Sequence, residues 1–226
     1  MPGNLYIVST PIGNLKDISS RALSILSDVD IIACEDTRVT RKLLTHYQIK
    51  NKLITYNDMN EIKMADAIVQ YLIEENDVAL VSDAGTPCIS DPGYRVVHKS
   101  LMNNLNVISV PGPSSVQSAL SISGLPSDNY FFQGFLPKKK GRKTKFEKLN
   151  ILDCTIIIFE SPKRVKKTLR DIYSNMGDRV ISVCKEISKI YEKVYMNKVS
   201  NIIDEFENIN PKGEFVILIA KENYTL

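Results

Sequence analysis

Asp83 and Gly85 stand in the stretch Val78-Ala-Leu-Val-Ser-Asp-Ala-Gly-Thr-Pro-Cys-Ile-Ser-Asp-Pro-Gly-Tyr94, where an apolar run gives way to small and polar residues. A carboxylate accepts hydrogen bonds from an amine or hydroxyl, and a glycine lets a ligand approach the backbone. The plain alternative is a tight turn capped by an aspartate. The same juxtaposition recurs along the chain. Leu5-Tyr-Ile-Val-Ser-Thr-Pro-Ile-Gly-Asn-Leu15 runs from apolar residues into a Pro/Gly turn, and Cys34-Glu35-Asp36-Thr37-Arg38 puts three charges after another apolar run. Glu35 or Asp36 could orient a hydroxyl or take its proton, and Arg38 could hold a phosphate. A helix N-cap with a surface arginine is the competing reading. Glu160-Ser-Pro-Lys-Arg164 and Lys185-Glu186 close two further apolar runs. Neither GxGxxG nor GxxxxGK[ST] occurs, so dinucleotide and P-loop readings are weak.

The elements that would position these residues follow from periodicity. In the first half, strands are predicted over Leu5–Ser9, Asp30–Cys34, Lys52–Tyr56, Val78–Ser82 and Asn106–Val110. Helices are predicted over Asp17–Ser27 with Asp17 as N-cap, then Thr37–His46, Asn60–Glu75 and Gly93–Met102. Alternating strands and helices imply a largely parallel sheet covered on both faces. Pro111-Gly112-Pro113 breaks this pattern. A helix beginning near Ser114-Ser115 and a turn at Gly124-Leu125-Pro126 lead into a second set. There, strands are predicted near Tyr130–Phe135, Thr155–Phe159, Arg179–Lys185, Lys193–Asn197 and Glu214–Ala220, with helices near Arg142–Leu149, Pro162–Met176 and Ser200–Glu207. Pro162 suits a first helical turn. The expected class is α/β, in two α/β domains over 1–113 and 114–226.

Charge divides the same way. Residues 1–113 carry 10 Lys/Arg and 13 Asp/Glu, a net of −3, whereas residues 114–226 carry 19 and 13, a net of +6. A polyanion would meet the second half. Its densest cationic segment is Phe135-Leu-Pro-Lys-Lys-Lys-Gly-Arg-Lys-Thr-Lys145, with seven Lys/Arg and one acid over 138–148. A mobile basic loop here suits phosphate contacts, and a solvated charged loop is the alternative. Lys163, Arg164, Lys166, Lys167 and Arg170 could extend it. The nearby Tyr130, Phe131, Phe132 and Phe135 alternate as in a strand and are read as core.

At 226 residues, 43% hydrophobic and 24% charged, the chain is ordinary for a globular protein with a sizeable core. No apolar run approaches the roughly 20 residues of a membrane helix, and the start lacks a signal peptide's basic flank. A cytoplasmic, non-membrane protein is expected. Cys34, Cys88, Cys154 and Cys184 form no CxxC pair, and His46 and His98 do not cluster with them, so no metal site is expected.

Taken in order, several segments resemble the tetrapyrrole-methylase superfamily, whose members are S-adenosyl-L-methionine-dependent methyltransferases. The closest resemblance is to its bacterial 16S ribosomal RNA (cytidine) ribose-2′-O-methyltransferase branch. These segments are Ser-Thr-Pro-Ile-Gly-Asn-Leu (9–15), Glu-Asp-Thr-Arg (35–38), Val-Ser-Asp-Ala-Gly-Thr-Pro (81–87), Ser-Asp-Pro-Gly-Tyr (90–94) and Pro-Gly-Pro (111–113). They continue with Gly-Leu-Pro-Ser-Asp (124–128), Gly-Phe-Leu-Pro (134–137), Glu-Ser-Pro-Lys-Arg (160–164) and Lys-Gly-Glu (212–214). The resemblance implies a tetrapyrrole-methylase-like fold with S-adenosyl-L-methionine in a cleft between two α/β domains, and a homodimer. It implies cofactor contacts from Pro11, Ile12, Asp83, Ala84, Gly85, Ile89, Ser90, Ser114 and Ser115, with Glu160, Gly213 and Glu214 reaching the adenine side. The implied reaction is 2′-O-methylation of a cytidine, by family expectation cytidine 1402, in 16S rRNA of the 30S subunit.

Within that reading Glu35, Asp36, Arg38 and Glu186 are the catalytic candidates, with Lys185 a further base if its pKa were depressed. Lys138, Lys139, Lys140, Arg142, Lys143, Lys145, Lys163 and Arg164 are the RNA-binding candidates. Many members continue past the last strand, whereas six residues follow Ala220 here, which shifts RNA contact onto the basic loop. A tetrapyrrole-type small-molecule methyltransferase and a non-catalytic RNA-binding factor on the same fold are the alternatives.

Overall fold

The computed structural model describes residues 1–226, which divide into two compact units, Met1–Ser114 and Ser115–Leu226. In the first unit the chain alternates strictly: β1 (Leu5–Val8), α1 (Ser20–Asp28), β2 (Ile31–Cys34), α2 (Thr37–His46), β3 (Lys52–Thr55), α3 (Glu61–Ile73), β4 (Val78–Val81), α4 (Tyr94–Met102) and β5 (Val107–Val110). The strands form one sheet in the order β3-β2-β4-β1-β5, parallel at every pairing. Strands β2 and β4 are buried on both faces, so they are continuously apolar rather than alternating.

Alternation along each strand then sorts the core into two layers. Leu5, Ile31, Ala33, Val78 and Leu80 pack on one side with Ala65, Ile68 and Leu72 of α3 and Val96 of α4. Val8, Ile32, Cys34, Ala79 and Val81 pack on the other with Ala22 and Leu26 of α1 and Leu43 and Leu44 of α2. Because the strands are parallel, all their carboxyl ends open at one edge, where β1 lies between β4 and β5.

The second unit carries α5 (Ser115–Ile122), β6 (Tyr130–Phe135), α6 (Arg142–Asn150), β7 (Thr155–Glu160), α7 (Val165–Met176), β8 (Val180–Lys185), β9 (Lys193–Lys198), α8 (Val199–Glu207) and β10 (Phe215–Ile219). Its sheet runs β6-β7-β10-β8-β9, with only β6 and β7 parallel. One face packs on α6, α7 and α8 through Phe146, Leu149, Leu169, Ile172, Ile202 and Phe206. The short helix α5 packs near the other face, where the Cys184 thiol lies 3.8 Å from the Ala119 carbonyl. No helix of either unit is long and apolar enough to cross a membrane.

Three expectations change. Asp17 is not the cap of α1: it lies in a 3-10 turn, Leu15–Asp17, capped by Asn14, while the Ser19 hydroxyl accepts from the Ala22 N–H and starts the helix. Pro162 precedes α7, which begins at Val165. The aromatic run is not core. Strand β6 is an edge strand and its register shifts between Phe132 and Gly134, where Gly134 has φ +69°. Tyr130 and Phe131 are exposed on this edge, and the β-bulge breaks the alternation after Phe132, with Phe135 exposed beyond it.

Arg179 closes the second unit at the start of β8. Its buried guanidinium donates to the carbonyls of Met176, Ala220 and Asn150, and to Asn150 Oδ1 at 2.8 Å. Burial lowers its pKa, opposed by Glu222. Removing it strands several buried carbonyls at once. Arg179→Met is therefore expected to cost about 3 kcal/mol of stability, measured as a lower chemical-denaturation midpoint at unchanged slope.

Candidate functional site

In the first unit the loops after β1, β2, β4 and β5 are tied together. After β1, the Thr10 N–H donates to the Gly85 carbonyl at 2.9 Å and the Gly85 N–H donates back at 3.0 Å, a short antiparallel bridge. The Ser9 and Thr86 hydroxyls meet at 2.9 Å, and the Thr86 hydroxyl donates to the Pro113 carbonyl at 3.1 Å. Thus the loops after β1, β4 and β5 form one surface. It depends on two glycines. Gly85 has φ +84°, and a Cβ there would stand 3.3 Å from Ile12 Cγ2; a Cβ on Gly112 would stand 2.9 Å from Ser9 Cβ. Pro11, Ile12, Asp83, Ala84 and Gly85 all belong to this surface. Ile89 and Ser90 follow on the same β4–α4 loop; Ile89 is exposed and Ser90 holds φ +67°. Ser114 ends the first unit and Ser115 opens the second.

The loop after β2 joins through Asp83, whose Oδ1 accepts the Asp36 N–H at 3.1 Å. Asp36 in turn caps α2, accepting the Arg38 N–H at 2.8 Å and forming a two-pronged ion pair with the Arg38 guanidinium. Those hydrogen bonds from the Arg38 side chain and backbone hold the Asp36 carboxyl down at about 2. Glu35 behaves oppositely. Burial raises its pKa, reinforced by the charges of Asp83, Asp91 and Asp58. Burial raises Asp83 as well, and it lifts Asp91 from 3.8 to about 6, with Asp83 and Asp58 adding to the rise. In the sequence Asp91 stands within a turn, and its signal there is a further acid in an already acid-bearing loop. A cavity of about 200 Å³ opens beside Asp83, lined by Thr10, Pro11, Leu15, Val39, Lys42, Leu43 and Ser82.

In the second unit the charged strand ends turn inward. The Glu160 carboxylate is buried, accepts the Ser161 N–H and Arg164 Nε at 2.7 Å each, and takes the Thr168 hydroxyl at 2.6 Å. Arg142 is also buried: it donates to Thr168 Oγ1 and Asp171, both at 2.7 Å. The two guanidiniums then hold consecutive carbonyls, Arg164 on Leu136 and Arg142 on Pro137, each at 3.1 Å. Sequence placed Arg142 and Arg164 with the RNA-facing cations and Glu160 near an adenine. Here all three brace the turn after β6, because a buried carboxylate demands paired cations.

The outer cations differ. Lys138, Lys139, Lys140, Lys143 and Lys163 are exposed, and Lys145 is half-buried. The segment is only partly a loop, since α6 starts at Arg142. Glu186 is fastened too: it accepts the Glu214 N–H and the Lys189 ammonium at 2.9 Å each. These outweigh the opposing effect of its burial and lower its pKa. Gly213 holds φ +85°, a conformation that favours glycine, and a Cβ there would displace the Glu186 carboxyl.

The family model described as tetrapyrrole (corrin/porphyrin) methylases matches residues 4–203. A Thermotoga maritima protein named ribosomal RNA small subunit methyltransferase I is 44% identical over 218 residues, covering 96% of this chain and 98% of the relative. The Halalkalibacterium halodurans protein of that name is 42% identical, covering 96% of this chain and 75% of the relative. Among solved structures, a diphthine synthase superimposes with a TM-score of 0.76 at 10% identity, covering 99% of this chain and 92% of that one. A uroporphyrin-III-C-methyltransferase from Thermus thermophilus gives 0.65 at 16%, covering 97% and 95%. At those identities the superpositions speak for the fold alone.

Asp91 makes the acid cluster measurable. Its folded-state pKa of about 6 lies above the ordinary 3.8, so the folded protein holds that proton more tightly, and the stability this gives is lost as pH rises through about 6. Asp91→Asn is expected to stabilise the protein at about pH 8, by about 1 kcal/mol after allowing for solvent screening, and far less at about pH 4. Denaturation midpoints of the two proteins at both pH values read the difference.

Proposed function

Since the chain belongs to the tetrapyrrole methylase family, as a methyltransferase with relatives named for ribosomal RNA of the small subunit, we propose that it methylates a cytidine ribose 2′-hydroxyl in 16S ribosomal RNA, using S-adenosyl-L-methionine. The observation that carries the site is the Thr10–Gly85 bridge, which joins the Pro11 turn to the Asp83–Gly85 turn at the carboxyl edge of a parallel sheet. Gly85 is buried beneath Ile12, and the exposed Asp83 and Ala84 beside it give a ligand a carboxylate and a small side chain at that edge. Pro11, Ile12, Asp83, Ala84, Gly85, Ile89, Ser90, Ser114 and Ser115 are the residues proposed to hold the cofactor, with Asp83 accepting from its polar groups. A sulfonium methyl is already electrophilic, so the bound cofactor supplies an activated methyl group.

The chain's own task is to align a ribose hydroxyl and receive its proton. Of the acids proposed, Asp36 is held by Arg38 and Glu186 by Lys189, so each is a poor base. Glu35 has no ion pair, and burial raises its pKa. Glu35 is the proposed proton acceptor. Asp36 positions it by capping α2, and the largely exposed Arg38 is available to an RNA phosphate. Lys138, Lys139, Lys140, Lys143, Lys145 and Lys163 are proposed to meet the RNA backbone, with Arg142 and Arg164 shaping the surface beneath. A cytoplasmic homodimer is carried over from the family resemblance, and light scattering checks the assembly.

The test is methyl transfer from labelled cofactor to 30S subunits lacking the modification. Alkaline hydrolysis of the product should leave one resistant dinucleotide step, because a 2′-O-methyl blocks cleavage at its own phosphodiester. A labelled base instead would refute the ribose assignment. Glu35→Gln is expected to lower kcat about a hundredfold with cofactor affinity unchanged, and to remove the acid limb of the pH–rate profile. Asp36→Ala should instead cost about 1 kcal/mol of stability through loss of the cap.

A further inference from the structure

We infer that the turn after β6 is a seat for one unpaired RNA base, stacked on Phe135 and flanked by phosphate contacts from Lys138 and Lys163. This rests on the RNA reading above and adds a stacking site to it. The geometry begins with the bulge. In a regular strand Phe132 and Phe135, three residues apart, would point to opposite faces of the sheet. The extra residue at Gln133 brings both onto the face of Phe159, with ring centroids 4.9 Å and 5.7 Å from it and both pairs edge-to-face. Phe159, itself packed against Phe132, thus supports Phe135, while Phe135 remains 57% exposed. An exposed ring so supported has a face to offer, and its burial against a base would recover apolar area now left in water.

The ring opens on a pocket of about 630 Å³, walled by Phe135–Lys138 on one side and Ser161, Lys163 and Arg164 on the other. The wall contains no acid. Arg164 is spent on Glu160 and the Leu136 carbonyl, whereas Lys138 and Lys163 are exposed and carry no ion pair. An aromatic face beside two uncommitted ammonium groups is the pairing that single-stranded nucleic acid uses: bases stack and phosphates take the cations. The floor is rigid beforehand, since Arg142 and Arg164 fix the carbonyls of Leu136 and Pro137, so little order need be imposed on binding. Duplex RNA could not use the ring, because its bases are already stacked; an unpaired nucleotide could.

The full-length protein is titrated with a single-stranded RNA of about a dozen nucleotides bearing one 2-aminopurine, and separately with inorganic polyphosphate, which has charge but no base. Phe135→Leu is expected to weaken RNA binding about tenfold and leave polyphosphate binding unchanged, while Phe135→Tyr restores RNA affinity. Tyr173→Leu, an exposed aromatic away from the pocket, should change neither. Lys138→Gln and Lys163→Gln should weaken both ligands and each lower the RNA salt slope by about 0.7. RNA affinity untouched by Phe135→Leu, or an equal loss for polyphosphate, overturns the seat and leaves the patch to contact with protein. Methyl transfer to 30S subunits separates the two readings. A wild-type enzyme that methylates them while Phe135→Leu binds RNA normally refutes the seat alone. A wild type that binds RNA through Phe135 and transfers no methyl refutes the proposed reaction alone.

Discussion

The reciprocal pair of backbone bonds between Thr10 and Gly85 is the constraint on which the first unit's surface depends. Parallel strands send their loops to the same edge without fixing how those loops lie against each other. One antiparallel bridge does so, and it works because Gly85 tolerates a positive φ that an ordinary residue resists. Once those two loops are joined, Ser9 meets Thr86, Thr86 reaches Pro113, and Asp83 is left facing the Asp36 amide. The acids of three different strand ends are thereby held close enough to alter one another's proton affinity. Glu35, Asp36 and Asp91 come from one local neighbourhood yet titrate in different directions, because burial raises Glu35 and Asp91 while hydrogen bonds from Arg38 lower Asp36.

The second unit solves a different problem with the same materials. Glu160 ends a buried strand, and a carboxylate there needs partners. Thr168, Ser161 and Arg164 supply them, and Arg142 joins through Thr168. The network lies under the turn that presents Phe135 and the lysines, so an interior requirement shapes an exterior surface.

Much of this was legible in the residues. Strand β6 and helix α2 fall on their expected bounds, and the remaining strands shift only at their ends, because continuous apolar runs between turn residues leave little choice of register. The acid-bearing strand ends were visible as charges following apolar runs. Their division of labour was not, since it depends on contacts between loops far apart in sequence, such as Asp36 with Asp83. Asp17 misled because a good capping residue sat two places before a better-placed one, Ser19. The aromatics of β6 misled because alternation assumes an unbroken strand, and one inserted residue at Gln133 reverses the facing of everything after it.

The inward arginines have a consequence for exchange between basic residues. Each guanidinium reaches an acidic or hydroxyl partner with one edge and a turn carbonyl with another. A lysine carries the same charge as a single compact ammonium and cannot span both. A swap at Arg142 or Arg164 would therefore be silent in any tally of charge, yet it would unfasten Leu136 or Pro137. At Lys138 or Lys163, where the group faces water, the same swap asks nothing of the interior. Residues of the same charge thus carry unequal freedom to vary, according to whether their partners are carbonyls or solvent.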